Sequence, residues 1–222
     1  MPPKGLTKAR LAEHIRKYSP IYIIGIVVML FLTNIIYTST RPQTPYEREV
    51  LIYLADGYAN VDALNANAAA YVDYGKQIDD TLESVEFDTL LYNNPAEDYT
   101  ASYLLMTRVA LGNADAFFAS SICAQSLFSM DIALPLNDYL DTGWMADAGL
   151  EPITVVNEET GETYIGGLSL TSVNGLAEMG ALANQDAVLI IPSNSSNIET
   201  SMAVVERVIR DIQEGAYAPD EG

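Results

Sequence analysis

VLIYLADG, residues 50–57, is the stretch on which the fold turns. Val50–Leu54 is apolar at every position, and Ala55-Asp56-Gly57 closes it with a turn signal. A strand with no polar side belongs in a sheet covered on both faces. Ala187–Ile191 (AVLII) has the same character. Between these two runs, strand-like and helical patterns alternate. Val61, Leu64, Ala68, Tyr71 and Val72 recur at helical spacing behind Asn60, a capping residue. Val85–Tyr92 reads as a second strand. Asn94-Pro95-Ala96-Glu97 has the composition of a helix start, and Ala101, Leu104, Leu105 and Val109 supply an apolar side up to Gly112. Ala114–Ala119 is the third strand candidate, followed by a short helix over Cys123–Met130.

Pro135–Leu140 reads as a turn into another short helix, with Trp144 beyond it as a cover on the core edge. Ile153–Val156 and Thr163–Leu170 are expected to be extended and joined by a hairpin turn at 157–161. Ser196-Asn-Ile-Glu199 matches a capping box, opening a helix with Val205, Val208, Ile209 and Ile212 on one side. The alternation predicts a single α/β sandwich domain with a mainly parallel sheet.

A different kind of segment precedes it. Ile21–Tyr37 (IYIIGIVVMLFLTNIIY) carries no charge, and the uncharged run covers residues 18–40. About 20 such residues cross the hydrocarbon core of a bilayer. A buried core helix would still show a polar face, and here only Thr33 and Asn34 interrupt the apolar surface. Asn34 is a candidate for helix pairing in the membrane, and Tyr22 and Tyr37 suit the two interfaces. Lys4, Lys8, Arg10, Arg16 and Lys17 precede the span, which places the N-terminus in the cytoplasm by the positive-inside rule. A cleaved signal peptide would have a shorter apolar core and a small-x-small site, and TSTRPQTPY after the span lacks one. The expected organisation is a cytoplasmic basic segment (1–17), an uncleaved transmembrane signal anchor (18–40) and a linker stiffened by Pro42 and Pro45 (41–48). An extracytoplasmic α/β domain (49–213) and a flexible tail (214–222) follow, in a single-pass protein of the cell membrane.

Charge and composition narrow the function. Of the 222 residues, 49% are hydrophobic, enough for a packed core. Residues 41–222 hold six basic and 29 acidic side chains, a net of -23 within a whole-chain value of -19. Such a domain repels phosphate backbones, which excludes nucleic acid as a partner. Cys123 is the one cysteine, so neither an intrachain disulfide nor a cysteine metal cluster can form. The one histidine, His14, lies before the span. No Gly-x-Ser-x-Gly elbow and no calcium-loop pattern occurs, and the adjacent pairs Asp79-Asp80 and Glu158-Glu159 point apart rather than converge. The expectation is a non-enzyme with no cofactor and no metal.

Ligands of open α/β sheets bind beyond the carboxyl ends of strands. That rule selects Asp56, Gly57 and Tyr58 after the first strand, and Ser120 and Ser121 after the third. Asp56 would accept bonds from a sugar or amine, Tyr58 would stack on a ring, and the serines would donate bonds. The competing reading is turn chemistry, since Asp-Gly and Ser-Ser are ordinary loop formers. Ser193–Asn197 is better explained by helix capping, and Tyr71, Tyr74, Tyr92 and Tyr103 by packing.

The order of pieces resembles the extracellular solute-binding proteins of bacterial ABC importers, of the type II periplasmic-binding fold. The likeness lies in VLIYLADGY with its following helix and strand, in MTRVALGNADAFFA with the turn Gly112-Asn-Ala-Asp115, and in PLNDYL at 135–140. TYIGGLSL at 163–170 and IPSNSSNIETSMAVVERVI at 191–209 continue it, so that it spans roughly 50–212. The piece between Leu170 and Ala187 is too short for a second lobe, and the resemblance is to one lobe. It implies a tethered domain that binds a small molecule or assists importer subunits. The alternative is an envelope protein whose ligand-free lobe docks another protein.

Overall fold

Side-chain alternation along the first strand sets the architecture. In a computed structural model that describes residues 8–40, 44–93, 99–140, 142–157, 160–183 and 185–216, the chain divides into two compact units, 1–43 and 44–222.

The first unit holds helix α1 (Lys8–Thr40). Its stretch His14–Tyr37 is long and apolar enough to cross a membrane, by length and composition. Pro20 inside α1 has no N–H for the Arg16 carbonyl, and the Ser19 hydroxyl donates to that carbonyl at 3.5 Å.

The second unit begins with β1 (Glu49–Asp56), α2 (Asp62–Ala66), α3 (Ala68–Gly75) and β2 (Ser84–Leu91). Next come α4 (Tyr99–Leu111), β3 (Ala116–Ala119), α5 (Ser121–Ser129) and α6 (Thr142–Asp147). The hairpin β4 (Glu151–Val156) and β5 (Thr163–Ser169), then α7 (Gly175–Glu178), β6 (Val188–Ile190) and α8 (Ile198–Gln213), complete it. The helix start expected at Asn94-Pro95-Ala96-Glu97, the pair Glu158-Glu159 and the tail beyond 216 lie outside the described residues. The short helix expected over Pro135–Leu140 is a single 3-10 turn at Leu136–Asp138, and Trp144 follows it on α6, partly buried against the core.

The six strands form one sheet in the order β2-β1-β3-β6-β5-β4. β1 is parallel to β2 and to β3, while β3–β6, β6–β5 and β5–β4 are antiparallel. The sheet is therefore mixed, not mainly parallel. In the first half, helices cross over between strands and enforce parallel pairing. In the second half, a short turn joins β4 to β5, and the connection to β6 carries only the four-residue α7.

On one face Val50, Ile52 and Leu54 of β1 pack with Phe118, Leu189 and residues of α3 and α8. On the other, Leu51, Tyr53 and Ala55 pack with Phe117, Val188 and Ile190 and with Ala101, Leu105 and Val109 of α4 and Leu127 of α5. The result is three layers, α3 and α8 on one side and α4 and α5 on the other. Both sheet edges are managed. At β2 the Asn65 amide donates to the Phe87 carbonyl at 2.9 Å and accepts from its N–H at 3.0 Å, taking the place of a further strand. At β4 the edge carries Pro152 and a register irregularity between Ile153 and Thr154.

At the amino end of the parallel strands, Gly112 turns the chain at φ +64° between α4 and β3. Asp115, buried just after that turn, accepts from the Leu51 amide at 2.9 Å and the Ser195 hydroxyl at 2.6 Å. Asn197 donates to the Tyr46 and Glu49 carbonyls at 2.9 and 2.8 Å. Asn197 is the residue before α8 and makes no side-chain capping bond, so the box expected at Ser196–Glu199 does not form. The loop instead ties the start of β1 to the start of α8.

Burial pushes the Asp115 carboxyl up from 3.8 to about 6, against the two hydrogen bonds that favour its charged form. A carboxyl whose folded pKa is raised contributes stability that is full below its unfolded pKa and is lost as pH rises through the folded one. The wild type is therefore expected to lose stability relative to Asp115→Asn between about pH 4 and pH 7, by up to about 3 kcal/mol. Urea unfolding of both proteins across that range measures it. A stability difference that is flat with pH would contradict the assignment.

Candidate functional site

The carboxyl edge of β1 and β3 is where the sequence placed its site. The register Ala55↔Ala119 sets Asp56 beside Ser120, and the Ser120 amide donates to the Ala55 carbonyl at 2.8 Å. The fold thus brings Asp56, Gly57, Ser120 and Ser121 to one rim.

Each of them is engaged there by the protein itself. Asp56 is 2% exposed and its carboxyl accepts from the Gly57 amide at 2.6 Å and the Ala183 amide at 2.9 Å. A Cβ on Gly57 would collide with the Asn93 side chain. Ser120 is buried and caps α5, accepting from the Cys123 amide at 3.5 Å. The Ser121 hydroxyl donates to Asp186 at 2.5 Å. Tyr58 alone projects into solvent. Behind this rim the Cys123 thiol is fully buried, and burial pushes its pKa up to about 12, which removes it as a nucleophile.

The segment between β5 and β6 closes the rim. Ala59 bridges to Leu182, and the Asn60 amide donates to the Ala181 carbonyl at 3.0 Å. Ala181 and Leu182 are buried in the core face shared by α3 and α8. Sequence reasoning treated this piece only as too short for a second lobe. Its small apolar residues were the available sign that it packs inward.

Hollows of useful size lie elsewhere. A groove of about 610 Å³ between α6 and the last turns of α8 is lined by Trp144, Asp147, Glu206, Arg210 and Gln213. A second, of about 330 Å³, lies beside the β4–β5 turn. There Asp131, at φ 55°, accepts from Asn157 at 3.2 Å and from the Tyr164 hydroxyl at 3.5 Å.

The largest departure from expectation is α4. Leu105, Ala101 and Val109 face the sheet, but Tyr99 (88% exposed), Tyr103 (69%), Met106 (58%), Leu104 and Leu111 face water. Tyr71 and Tyr92 pack as anticipated; Tyr103 does not, and Leu104 lies outside the core. A helix with apolar residues on its outer as well as its inner side gives only a weak period from which to choose the inner face. Arg108 is the only charged residue in α4; it lies over the Tyr53 ring at 5.5 Å and 3.9 Å from Asp88.

Removing the Asp56 carboxyl should release the cover. Asp56→Ala is expected to cost about 1–3 kcal/mol, the range for a buried amide left without its acceptor. Amides of residues 181–187 should exchange hydrogen faster in the variant while those of β1 stay protected. Unchanged exchange in 181–187 would show that Asp56 does not hold the segment.

No known family, curated protein or solved structure matches this chain.

Proposed function

We propose that the chain is a membrane-tethered docking module whose acidic extracytoplasmic domain holds an apolar protein surface on the outer face of α4. One contrast carries the reading. The strand ends, where an α/β sheet takes a ligand, are closed by the protein's own 181–183 segment, while a large apolar face lies uncovered. Contiguous exposed apolar surface of this kind marks interaction sites in soluble domains. Kinship with solute-binding lobes is part of the proposal and is supported by the β1–β3 half of the sheet and by the order of pieces over 50–212.

Anchoring rests on α1 and orientation on the basic residues before its apolar stretch. The chain should stay with membranes through an alkaline wash and enter solution with detergent. Protease added outside intact cells should remove the domain; a domain left intact there would refute the orientation.

Docking is read at position 106. A Met106→Cys chain should react with a water-soluble maleimide at least several-fold more slowly in the membranes of the producing cells than as dilute full chain in detergent. Ile78→Cys, an exposed position away from α4, should react equally in both. Equal rates at 106 would end the docking reading.

Solute capture is the second reading, favoured by the groove that sets Trp144 beside Arg210, Glu206 and Asp147. Trp144 is the single tryptophan, so its fluorescence reports that groove alone. Titration with a panel of sugars, amino acids and short peptides should leave it unchanged if docking is the function, and a saturable shift would restore the solute.

A further inference from the structure

Resting on the docking reading, we infer that the occupant of α4 is a second copy of this chain, held as an antiparallel helix pair about a two-fold axis. The outward residues Tyr99, Tyr103, Met106 and Ala110 are spaced four, three and four apart, the interval of a coiled-coil seam. That seam is matched to itself. In an antiparallel pair Tyr99 lies opposite the partner's Ala110, large against small, and Tyr103 lies opposite the partner's Met106, a sulfur–aromatic contact. Ser102 and Thr107 flank the seam and face each other's copies under the same operation, so uncharged polar groups border it. An isologous interface requires this kind of self-complementarity.

Charge selects the same occupant. Two domains of net -23 repel, and they approach at least cost where neither carries acid. Among the described residues, helices α4 and α5 carry no acidic residue, with Glu97 and Asp98 preceding α4 in sequence, whereas α3 and α8 in the opposite layer carry Asp73, Glu199, Glu206 and Asp211. A basic partner would be drawn to the acidic faces and not to this one. An anionic membrane surface would need cations, and α4 offers only Arg108, which lies beside Asp88. One helix pair buries less than the roughly 1,600 Å² of a standard interface. The pair is therefore weak in dilute solution and gains from confinement of both copies to one bilayer.

The test uses the full chain in lipid vesicles, with differently tagged cysteine variants mixed in pairs and joined by mild oxidation. Wild type, whose Cys123 is buried, is the blank. Tyr99→Cys with Ala110→Cys should cross-link at least ten-fold more than Tyr99→Cys with itself, since antiparallel pairing sets the two 99 positions about 16 Å apart along the axis. Tyr103→Cys with Met106→Cys should also join. Adding Met106→Asp to the 99/110 pair should abolish the product without changing the melting temperature. Preferential joining of 99 to 99, or no product above the blank, overturns the inference. If no product forms while position 106 is still shielded in native membranes, another protein occupies α4 and the docking reading stands. If position 106 is unshielded as well, both fall.

Discussion

Burial of β1 on both faces is the constraint from which the fold of residues 44–222 follows. Six consecutive residues, Val50–Ala55, are buried, alternately toward the two cores. Such a strand cannot lie at an edge or face water, so it needs a neighbour on each side and helices above and below. β2 and β3 supply the neighbours, both parallel, and their crossover segments deliver α3 to one face and α4 to the other. The position of α4 is a consequence of β1. So is the crowding at the amino end of the strands, where the carboxyl of Asp115 and the amide of Asn197 fasten the start of β1 to the far end of the chain.

Those parts of the fold were legible because their signals are local. VLIYL, ADAFFA and AVLII announce strands by composition, and Val205, Val208, Ile209 and Ile212 show one face of α8 by period. Pairing direction was not legible, because a parallel and an antiparallel central strand have the same residue pattern; β6 runs against β3 and makes the sheet mixed. Capping was half legible. Ser196 and Glu199 satisfy the pattern, yet Asn197 takes the position before the helix because its amide serves the Tyr46 and Glu49 carbonyls. At the rim, the turn chemistry of Asp56-Gly57 was visible and is realised in the Gly57 bond. The partner 127 positions along the chain, Ala183, leaves no local trace.

Closure of the rim and exposure of α4 are linked by the course of the chain after β3. A sheet that binds ligand at its strand ends keeps loops apart there. Here the β5–β6 connection folds as α7 and a short buried segment across that end, with Ala181 and Leu182 in the core. Nothing among the described residues then extends over the outer layer. The α4 face is left to water or to another chain, and water is the poorer neighbour for Tyr99, Tyr103, Leu104, Met106 and Leu111.

Acid distribution turns that uncovered face from a liability into a selective one. An exposed apolar stripe on a neutral protein invites indiscriminate association. On a domain of net -23, most approaches bring carboxylates together and fail at long range. On the docking reading, the favoured occupant presents low charge and a complementary apolar ridge to α4. On the proposed docking reading, the acids act as a filter around the stripe, opposing acidic partners by repulsion while the stripe supplies the attraction. That division of labour would account for an otherwise awkward combination, a helix with exposed tyrosine, leucine and methionine side chains on a domain of net -23.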